Sequence, residues 1–338
     1  MIRNLLAAGA AASALFAAAP AALADDPQQL KVVDRVAGPD GGWDYASFDA
    51  ARNRVYVAHG TVVLALDLAT NKLNPSFAAG DRLHAVVPVP GSDVIVTTNS
   101  GDNTAKILNA ADGTLIKALT VAADADGAAY DPATKDVVVI NGDAGVLTLV
   151  DPAAKTVAGT ISVGGKLEFG QPDGKGRFFV NGEDTGQVVE VDLVKKTVLA
   201  HWAMADCKRP TGLAYVEGNR IISSCNGLAK ILDAADGHEI ASLKIGGFPD
   251  AVIYDAKRHI AMIPTGLDGQ LSVIALAGPD NNKIIATVPT QIGARTGAVD
   301  PATGRVYLPT AEYILPAPAG QRPQTKPGTF QILVLDRK

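Results

Sequence analysis

Residues 131–151 read DPATKDVVVINGDAGVLTLVD, and this stretch contains the pattern that decides the fold. An Asp-Pro turn leads into a β-branched run at 137–139, and a second turn leads into an apolar run that ends at Asp151. In the first turn the Asp side chain can cap the backbone, and Pro presets φ. Short β-branched runs between such turns predict consecutive β-strands.

The same pattern recurs along the chain with a period of about 42 residues. The β-branched runs begin at Arg54, Asp93, Asp136, Arg177, Arg220, His259 and Arg305. An offset series places Asp or Asn after an apolar run, at Asp67, Asn109, Asp151, Asp192 and Asp233. Four short strands per unit at this period predict the blades of a β-propeller, whereas a two-layer sandwich does not repeat at a fixed period. We therefore expect an all-β fold, a seven-bladed β-propeller with four-stranded antiparallel blades.

The two ends of the chain are expected to meet in the last blade. With strands named a to d from the axis outward, the seventh unit ends at Asp336, just after its strand c. The apolar segment 30–36 can supply the missing strand d. This N-terminal strand would close the last blade and leave no open seam, whose unpaired backbone groups would be exposed.

Three motifs resemble the YVTN-repeat (YncE-like) family of seven-bladed bacterial propellers. They are RVYVA at 54–58, VTTN at 96–99 and DPATG at 300–304. The resemblance covers about residues 28–338 and implies the propeller fold. Related seven-bladed folds include lactonases, lyases and domains that carry redox cofactors, so the resemblance leaves the activity open.

Composition and the N-terminus indicate an exported protein. Residues 1–24 have a positive start, an apolar stretch and an A-x-A site at 22–24, which predicts a signal peptide cleaved near Ala24. Residues 25–338 would then form a single propeller domain, periplasmic or secreted, without a membrane span and monomeric. The hydrophobic fraction of 47% excludes a disordered chain, and the net charge of −5 argues against nucleic acid as a partner.

One face of the predicted propeller is irregular in sequence. The a–b and c–d turns repeat the Asp-Pro-Ala-Thr and Asp-Gly patterns, and we call their side the regular face. The b–c and d–a loops vary, and we call their side the irregular face. Variable loops on a rigid scaffold usually hold the functional site. An insertion at 311–329 in the last blade belongs to the irregular face, either as a cap over the channel mouth or as a flexible loop.

Polar residues at the starts of the inner strands point to a ligand site around the axial channel. The predicted ligand-binding residues are Asp44, His59, His84, Glu168, Arg209, Asp250 and Arg295. The wider ring also contains Trp43, Tyr45, Arg82, Asp124, Asp126, Lys166, Thr211 and Thr296. If the site is catalytic, His84 or Glu168 would act as general base, and Arg209 and Arg295 would hold a carboxylate or oxyanion.

The sequence predicts no cofactor, and no metal ligand set is assigned. It lacks C-x-x-C-H and H-E-x-x-H motifs, so neither covalent haem nor a zincin site is expected. A divalent metal at the channel mouth stays open, with His59, His84 and Asp44 as the conceivable ligands.

Cys207 and Cys225 are predicted to form a disulfide, since both fall on neighbouring loops in an oxidising compartment. A cysteine nucleophile is the alternative.

Three functions remain open from the sequence. The first is a scaffold that binds a small molecule or a periplasmic protein through the irregular face. The second is a lactonase-like hydrolase or lyase that uses His84, Glu168, Arg209 and Arg295. The third is an accessory protein of a periplasmic redox or metal system. The first is preferred because the sequence shows a scaffold and no assembled catalytic motif.

Overall fold

The computed structural model describes residues 29–278, 281–315 and 323–337. The predicted signal peptide and residues 25–28 lie outside this range. The described residues form 28 strands and no α-helix. The strands are β1 (Lys31–Ala37), β2 (Ala46–Asp49), β3 (Arg54–Asp67), β4 (Lys72–Pro88), β5 (Val94–Asn99), β6 (Thr104–Asn109), β7 (Leu115–Thr120), β8 (Ala125–Tyr130), β9 (Val137–Asn141), β10 (Val146–Asp151), β11 (Thr156–Ser162), β12 (Leu167–Pro172), β13 (Arg177–Gly182), β14 (Gln187–Asp192), β15 (Thr197–Ala203), β16 (Leu213–Val216), β17 (Arg220–Cys225), β18 (Leu228–Asp233), β19 (Glu239–Lys244), β20 (Ile253–Asp255), β21 (Ile260–Thr265), β22 (Gln270–Ala275), β23 (Lys283–Pro289), β24 (Ala298–Val299), β25 (Val306–Thr310), β26 (Tyr313–Ile314), β27 (Gln324–Thr325) and β28 (Gln331–Asp336).

The strands form antiparallel sheets of a β-propeller. Within the described part of the chain, five sheets have four strands, one has six, and β26 pairs with β27 as a separate ribbon. The four-stranded sheets are β8–β11, β12–β15, β16–β19, β20–β23 and the order β24, β25, β28, β1. The six-stranded sheet runs from β2 to β7 and contains the two longest strands, β3 and β4. The prediction of an all-β propeller with four-stranded antiparallel blades is confirmed.

The chain termini pair in one sheet, as predicted. β1 runs antiparallel to β28, with Lys31 opposite Asp336 and Ala37 opposite Gln331. Leu30 is buried in a hydrophobic cluster that also contains Leu333 and Leu335. Because β1 is the outermost strand of this sheet, the last blade is completed by residues from the opposite end of the chain.

The repeated Asp-Pro-Ala-Thr turns are structural. Asp131 is fully buried, and its Oδ2 accepts hydrogen bonds from the backbone NH and the hydroxyl of Thr134, both at 2.9 Å. Asp300 accepts the hydroxyl of Thr303 at 2.6 Å in the last blade. These bonds satisfy polar groups of the turns that have no partner in the strands. The repeated turn residues of the regular face therefore have a structural role.

Arginines at the starts of second strands connect neighbouring units of the repeat. Arg54, Arg177 and Arg220 donate to the main-chain oxygens of Ala110, Ala234 and Leu276 respectively. Arg220 is the most enclosed of these three, with 3% exposure. It also donates to Glu217 O at 2.9 Å, Gly278 O at 3.2 Å and Asn282 Oδ1 at 2.6 Å. The repeat therefore fixes the packing between sheets as well as the strands within each sheet.

The predicted disulfide is present between Cys207 and Cys225, whose Cα atoms lie 5.4 Å apart. Both cysteines pack in one apolar cluster with Met204 and Leu213. Cys207 lies in the loop before β16, and Cys225 ends β17. The bond thus fastens a loop of the irregular face to the strand beside it. No helix among the described residues is long and apolar enough to cross a bilayer.

Replacing Arg220 with Ala should lower the free energy of unfolding by about 2–4 kcal/mol, because a largely buried side chain with four hydrogen bonds, one of them to the buried Leu276 O, is lost. Arg305→Ala is the matched control, since Arg305 is 43% exposed and pairs with Asp336 across the sheet surface. The control should change stability by less than about 1 kcal/mol. Chemical denaturation of both variants measures the difference. Equal effects would contradict the assigned role of Arg220.

Candidate functional site

A left-handed residue recurs just before five of the seven inner strands. Arg82, Asp124, Arg209 and Phe248 have φ between 45° and 58°, and Gly293 has φ 98°. Each lies two residues before a side chain of the predicted ring, namely His84, Asp126, Thr211, Asp250 and Arg295. A non-glycine residue in this left-handed region costs roughly 1 kcal/mol or more. The backbone is therefore strained just before the residues of the predicted ring. Strain of this kind is concentrated at functional sites.

Three side chains from three neighbouring inner strands meet at His84. Its Nδ1 lies 2.7 Å from Asp44 Oδ2 and 3.2 Å from Asp126 Oδ1. Its Nε2 lies 2.9 Å from Ser100 Oγ. The side chains of Asp44, His84 and Asp126 keep 19%, 18% and 17% of their surface exposed, so water reaches a site that is otherwise enclosed by protein.

Arg295 and Asp250 extend this group across the ring. Arg295 Nε donates to Asp250 Oδ2 at 2.8 Å, and its NH2 group donates to Trp43 O at 2.7 Å. The guanidinium also lies over the Trp43 ring, 5.3 Å from its centroid. Thr296 donates to Asp44 O at 2.7 Å, so the last sheet supports the first. We call Asp44, His84, Asp126, Glu168, Asp250 and Arg295 the axial cluster.

The axial cluster carries more carboxylates than fixed cations, and the pKa values reflect this excess. Burial, followed by the negative charge of Asp44, raises the pKa of Asp126 to about 7, although His84 opposes the shift. Burial and the charges of Asp126 and Asp250 raise the pKa of Glu168 to about 10. Burial lowers the pKa of His84, but its hydrogen bond to Asp44 and the charge of Asp126 outweigh burial and raise it.

Glu168 is the carboxylate of the cluster with the least compensation. Within the described part of the chain, it forms no hydrogen bond or ion pair with a protein group. It lies in β12, whose residues contact β8, the strand that carries Asp126. Without such a partner, nothing offsets the burial and the neighbouring charges that raise its pKa.

Two predicted site residues lie apart from this cluster. Arg209 is 74% exposed and binds Glu183, with Nε 2.8 Å from Oε1. Burial raises the pKa of Glu183, but hydrogen bonds from Lys166 and Arg209 outweigh it and lower the pKa. His59 is buried against Phe330, with ring centroids 4.5 Å apart, and burial lowers its pKa. The structure therefore brings together five predicted residues, Asp44, His84, Glu168, Asp250 and Arg295.

Asp126 was predicted as part of the wider ring but not as a ligand-binding residue, and Ser100 was not predicted at all. His84, Asp126 and Glu168 follow one another at intervals of 42 residues, so the repeat period itself marks Asp126 as their equivalent. Ser100 lies in a b–c loop, and nothing in its local sequence distinguishes it from an ordinary loop serine.

The Ser100–His84–Asp44 order matches that of a nucleophile, a base and an orienting carboxylate. Ser100 is however only 8% exposed, and its Oγ also lies 3.4 Å from Arg82 O. A substrate therefore has little access to this hydroxyl. Arg209, bound to Glu183, is not available to hold an oxyanion beside His84, as the hydrolase hypothesis required. We treat Ser100 as a residue that positions His84.

Tyr45 and Phe169 pack against each other beside the axial cluster. Their rings lie 4.6 Å apart, and the Tyr45 pKa is raised by burial and then by the charge of Glu168. Both rings also line a cavity of about 400 Å³ whose other walls are mostly Ala, Val and Pro side chains of the inner strands. This cavity extends along the inner strands toward their a–b turns, whereas the axial cluster lies where these strands begin. The cavity therefore belongs to the regular side of the channel.

Exposed apolar side chains flank the axial cluster on the irregular face. Phe248, Leu267, Ile292 and Ile314 are 52%, 64%, 42% and 51% exposed, and we call them the apolar crescent. Hydrogen bonds join their loops, from Leu267 N to Gly247 O at 3.1 Å and from Gly293 N to Gly266 O at 2.7 Å. The Phe248 ring lies 5.8 Å from the Arg295 guanidinium, so the crescent borders the cluster directly.

Part of the predicted insertion lies beside this face. Residues 316–322 are outside the described range. On either side of them, β26 pairs with β27, and Lys326 Nζ lies 3.0 Å from Glu312 Oε2. Tyr313 stacks on Trp43 with a centroid separation of 6.2 Å. The described ends of the insertion thus contact the first and last sheets next to Arg295.

The fold and this site define the class of the protein as a β-propeller. Solved structures agree at the level of fold. A chain in the crystal structure of the mitotic checkpoint complex superposes with a TM-score of 0.72 and 14% identity, covering 90% of this chain and 96% of its own. A chain of Kuenenia stuttgartiensis hydrazine synthase superposes with a TM-score of 0.69 and 14% identity, covering 87% of this chain and 96% of its own. No protein-family model and no curated protein sequence matches the chain.

Replacing Glu168 with Gln should make the protein more stable at about pH 8 and change little at about pH 4. The folded-state pKa of Glu168 is raised from 4.5 to about 10, so its stabilising contribution is present below the unfolded value and is lost as pH rises between these values. Gln does not ionise, so the variant does not lose this stability. The difference in melting temperature between variant and wild type is measured across the pH range. Glu312→Gln, at an exposed ion pair, is the control. If the stability difference between Glu168→Gln and the wild type does not grow with pH, the raised pKa of Glu168 is wrong.

Proposed function

We propose that the protein is an exported seven-bladed propeller of the YVTN-repeat kind that binds a ligand or protein partner through its irregular face. The motifs at 54–58, 96–99 and 300–304 support the family, and the Cys207–Cys225 disulfide is compatible with export. A cleaved signal peptide and a periplasmic or secreted location are part of this proposal.

The inner strands support the count of seven blades. β2, β4, β8, β12, β16, β20 and β24 contact one another in this order, and β24 contacts β2. β3 pairs with β2 near its start and with β4 further on, and β4 pairs in turn with β5. The six-stranded sheet then corresponds to two blades: β3 combines the second and third strands of the first blade, and β4 combines its outer strand with the inner strand of the second blade.

The observation that carries the binding function is the apolar crescent beside the axial cluster. Phe248 is half exposed at φ 57°, a left-handed conformation that suits Gly and disfavours a bulky side chain. Folding gains little from an exposed apolar side chain in a strained conformation. Adjacent exposed apolar residues around a charged centre are typical of a binding surface. The two structural neighbours are named for a protein complex and for an enzyme, so the fold alone does not choose the function.

The binding proposal predicts that capture depends on the irregular face. The test variant combines Phe248→Gly with Leu267→Ser, and Gly adopts the φ of residue 248 without strain. The control combines Leu115→Ser with Val194→Ser, two exposed apolar residues near the c–d turns. Tagged protein exported to the periplasm is isolated, and its bound proteins and small molecules are quantified by mass spectrometry.

The test variant should lose at least one molecule that the wild type and the control both retain. Circular dichroism and melting temperature verify that both variants fold. A bound set that depends on the control positions, and is unaffected by the test variant, would contradict the proposal.

A further inference from the structure

Resting on the proposed function, we propose that the side chains of Asp44, His84 and Asp126 bind a divalent first-row transition-metal ion, such as Zn²⁺ or Mn²⁺, at the irregular end of the axial channel. One ligand atom from each residue lies within 4.8 Å of the others. In the described part of the chain, no other group of three or more His, Cys, Asp or Glu side chains has ligand atoms this close together. The ion would be the ligand, or part of the ligand, of the irregular face.

The donor set decides the class of ion. Imidazole nitrogen suits Zn²⁺ and other first-row transition ions, whereas carboxylate oxygen suits Mn²⁺ and harder ions. One nitrogen with two carboxylate oxygens combines these preferences. Both oxygens approach the same ring atom, Nδ1 of His84, at 2.7 and 3.2 Å. A small increase in these separations would seat an ion at the usual bond lengths near 2 Å.

The second ring nitrogen of His84 has the partner that a metal ligand requires. With Nδ1 on the metal, Nε2 carries the proton and donates it to Ser100 Oγ at 2.9 Å. Ser100 in turn can donate to Arg82 O at 3.4 Å. Such a hydrogen bond fixes the tautomer and orientation of a ligating histidine. This chain of contacts is independent of the carboxylate positions.

The ligands are held on a rigid frame. Asp44 O accepts a hydrogen bond from Thr296, and Asp126 O accepts one from Thr98. Thr98 Oγ1 also accepts the backbone NH of Ala85, beside His84. Ligands supported by second contacts on the ends of strands are more accurately placed than ligands on free loops.

The charge of the surroundings also favours a cation. Four carboxylates, those of Asp44, Asp126, Glu168 and Asp250, share the axial cluster with the guanidinium of Arg295. Arg295 is bound to Asp250 and Trp43 O. Glu168 lies in the same cluster and has no hydrogen bond or ion pair in the described part of the chain. A bound divalent ion would neutralise this excess.

Metal binding by the full exported chain tests the proposal. After treatment with EDTA and removal of the chelator, Zn²⁺ is titrated by calorimetry, and Mn²⁺ by the loss of its free-ion electron paramagnetic resonance signal. The wild type should bind one ion. Asp126→Asn and His84→Gln should each weaken binding by more than about a hundredfold, and Ser100→Ala by about tenfold, the effect typical of an outer-shell partner.

His259→Gln is the matched control. His259 pairs with Glu217 at the exposed surface near the regular face, so its loss should leave metal affinity unchanged. Melting temperatures in EDTA verify folding, and added Zn²⁺ should raise that of the wild type and the control but not those of Asp126→Asn and His84→Gln. Absence of binding by the wild type, or binding that survives both Asp126→Asn and His84→Gln, would overturn the proposal.

This result is distinguishable from the fate of the proposed function. If metal does not bind but capture still depends on Phe248 and Leu267, the metal site is wrong and the binding face stands. If metal binds as expected but capture does not depend on the crescent, the metal site stands and the proposed function is wrong.

Discussion

The antiparallel pairing of β1 with β28 is the constraint on which the rest of the architecture depends. Each sheet packs on the next, so an unclosed ring would leave two sheets without a neighbour and an edge with unpaired backbone groups. The N-terminal residues 31–37 complete the sheet that the C-terminal residues 331–336 begin. Closure in turn keeps the first and last sheets in contact, and Thr296 can then support Asp44 and Arg295 can bind Trp43 O.

A closed ring of similar sheets creates two different ends. At the regular face, the same aspartates cap the same turns, and the sequence there is determined by folding. At the irregular face, the inner strands begin, and side chains that are distant in the chain meet only there. His84 contacts Asp44 from the preceding inner strand and Asp126 from the following one. Left-handed residues two positions before His84 and Asp126 hold these two side chains in place at a cost in local strain.

The sequence was sufficient for the fold because the relevant signals are local and repeated. The Asp-Pro turns, the β-branched runs and the leftover segment 30–36 each predicted an element that the structure contains. The site was harder to predict because its contacts cross between sheets. The sequence placed His84 and Asp44 in the ring, but it could not show that Asp126 faces the same ring nitrogen or that Ser100 lies behind it. His59 and Arg209 were predicted in the same ring, yet Phe330 and Glu183 respectively hold them elsewhere.

The axial cluster combines side chains suited to a metal ion with an apolar border. Our central proposal is that Asp44, His84 and Asp126 bind this ion. Anomalous diffraction from crystals grown with Zn²⁺, recorded on both sides of the zinc absorption edge, tests it most directly. The account predicts one strong anomalous peak bonded to His84 Nδ1, with carboxylate oxygens of Asp44 and Asp126 at bonding distance. If, at saturating Zn²⁺, these three side chains stay hydrogen-bonded to one another and the anomalous peak is absent or lies elsewhere, the proposal is contradicted.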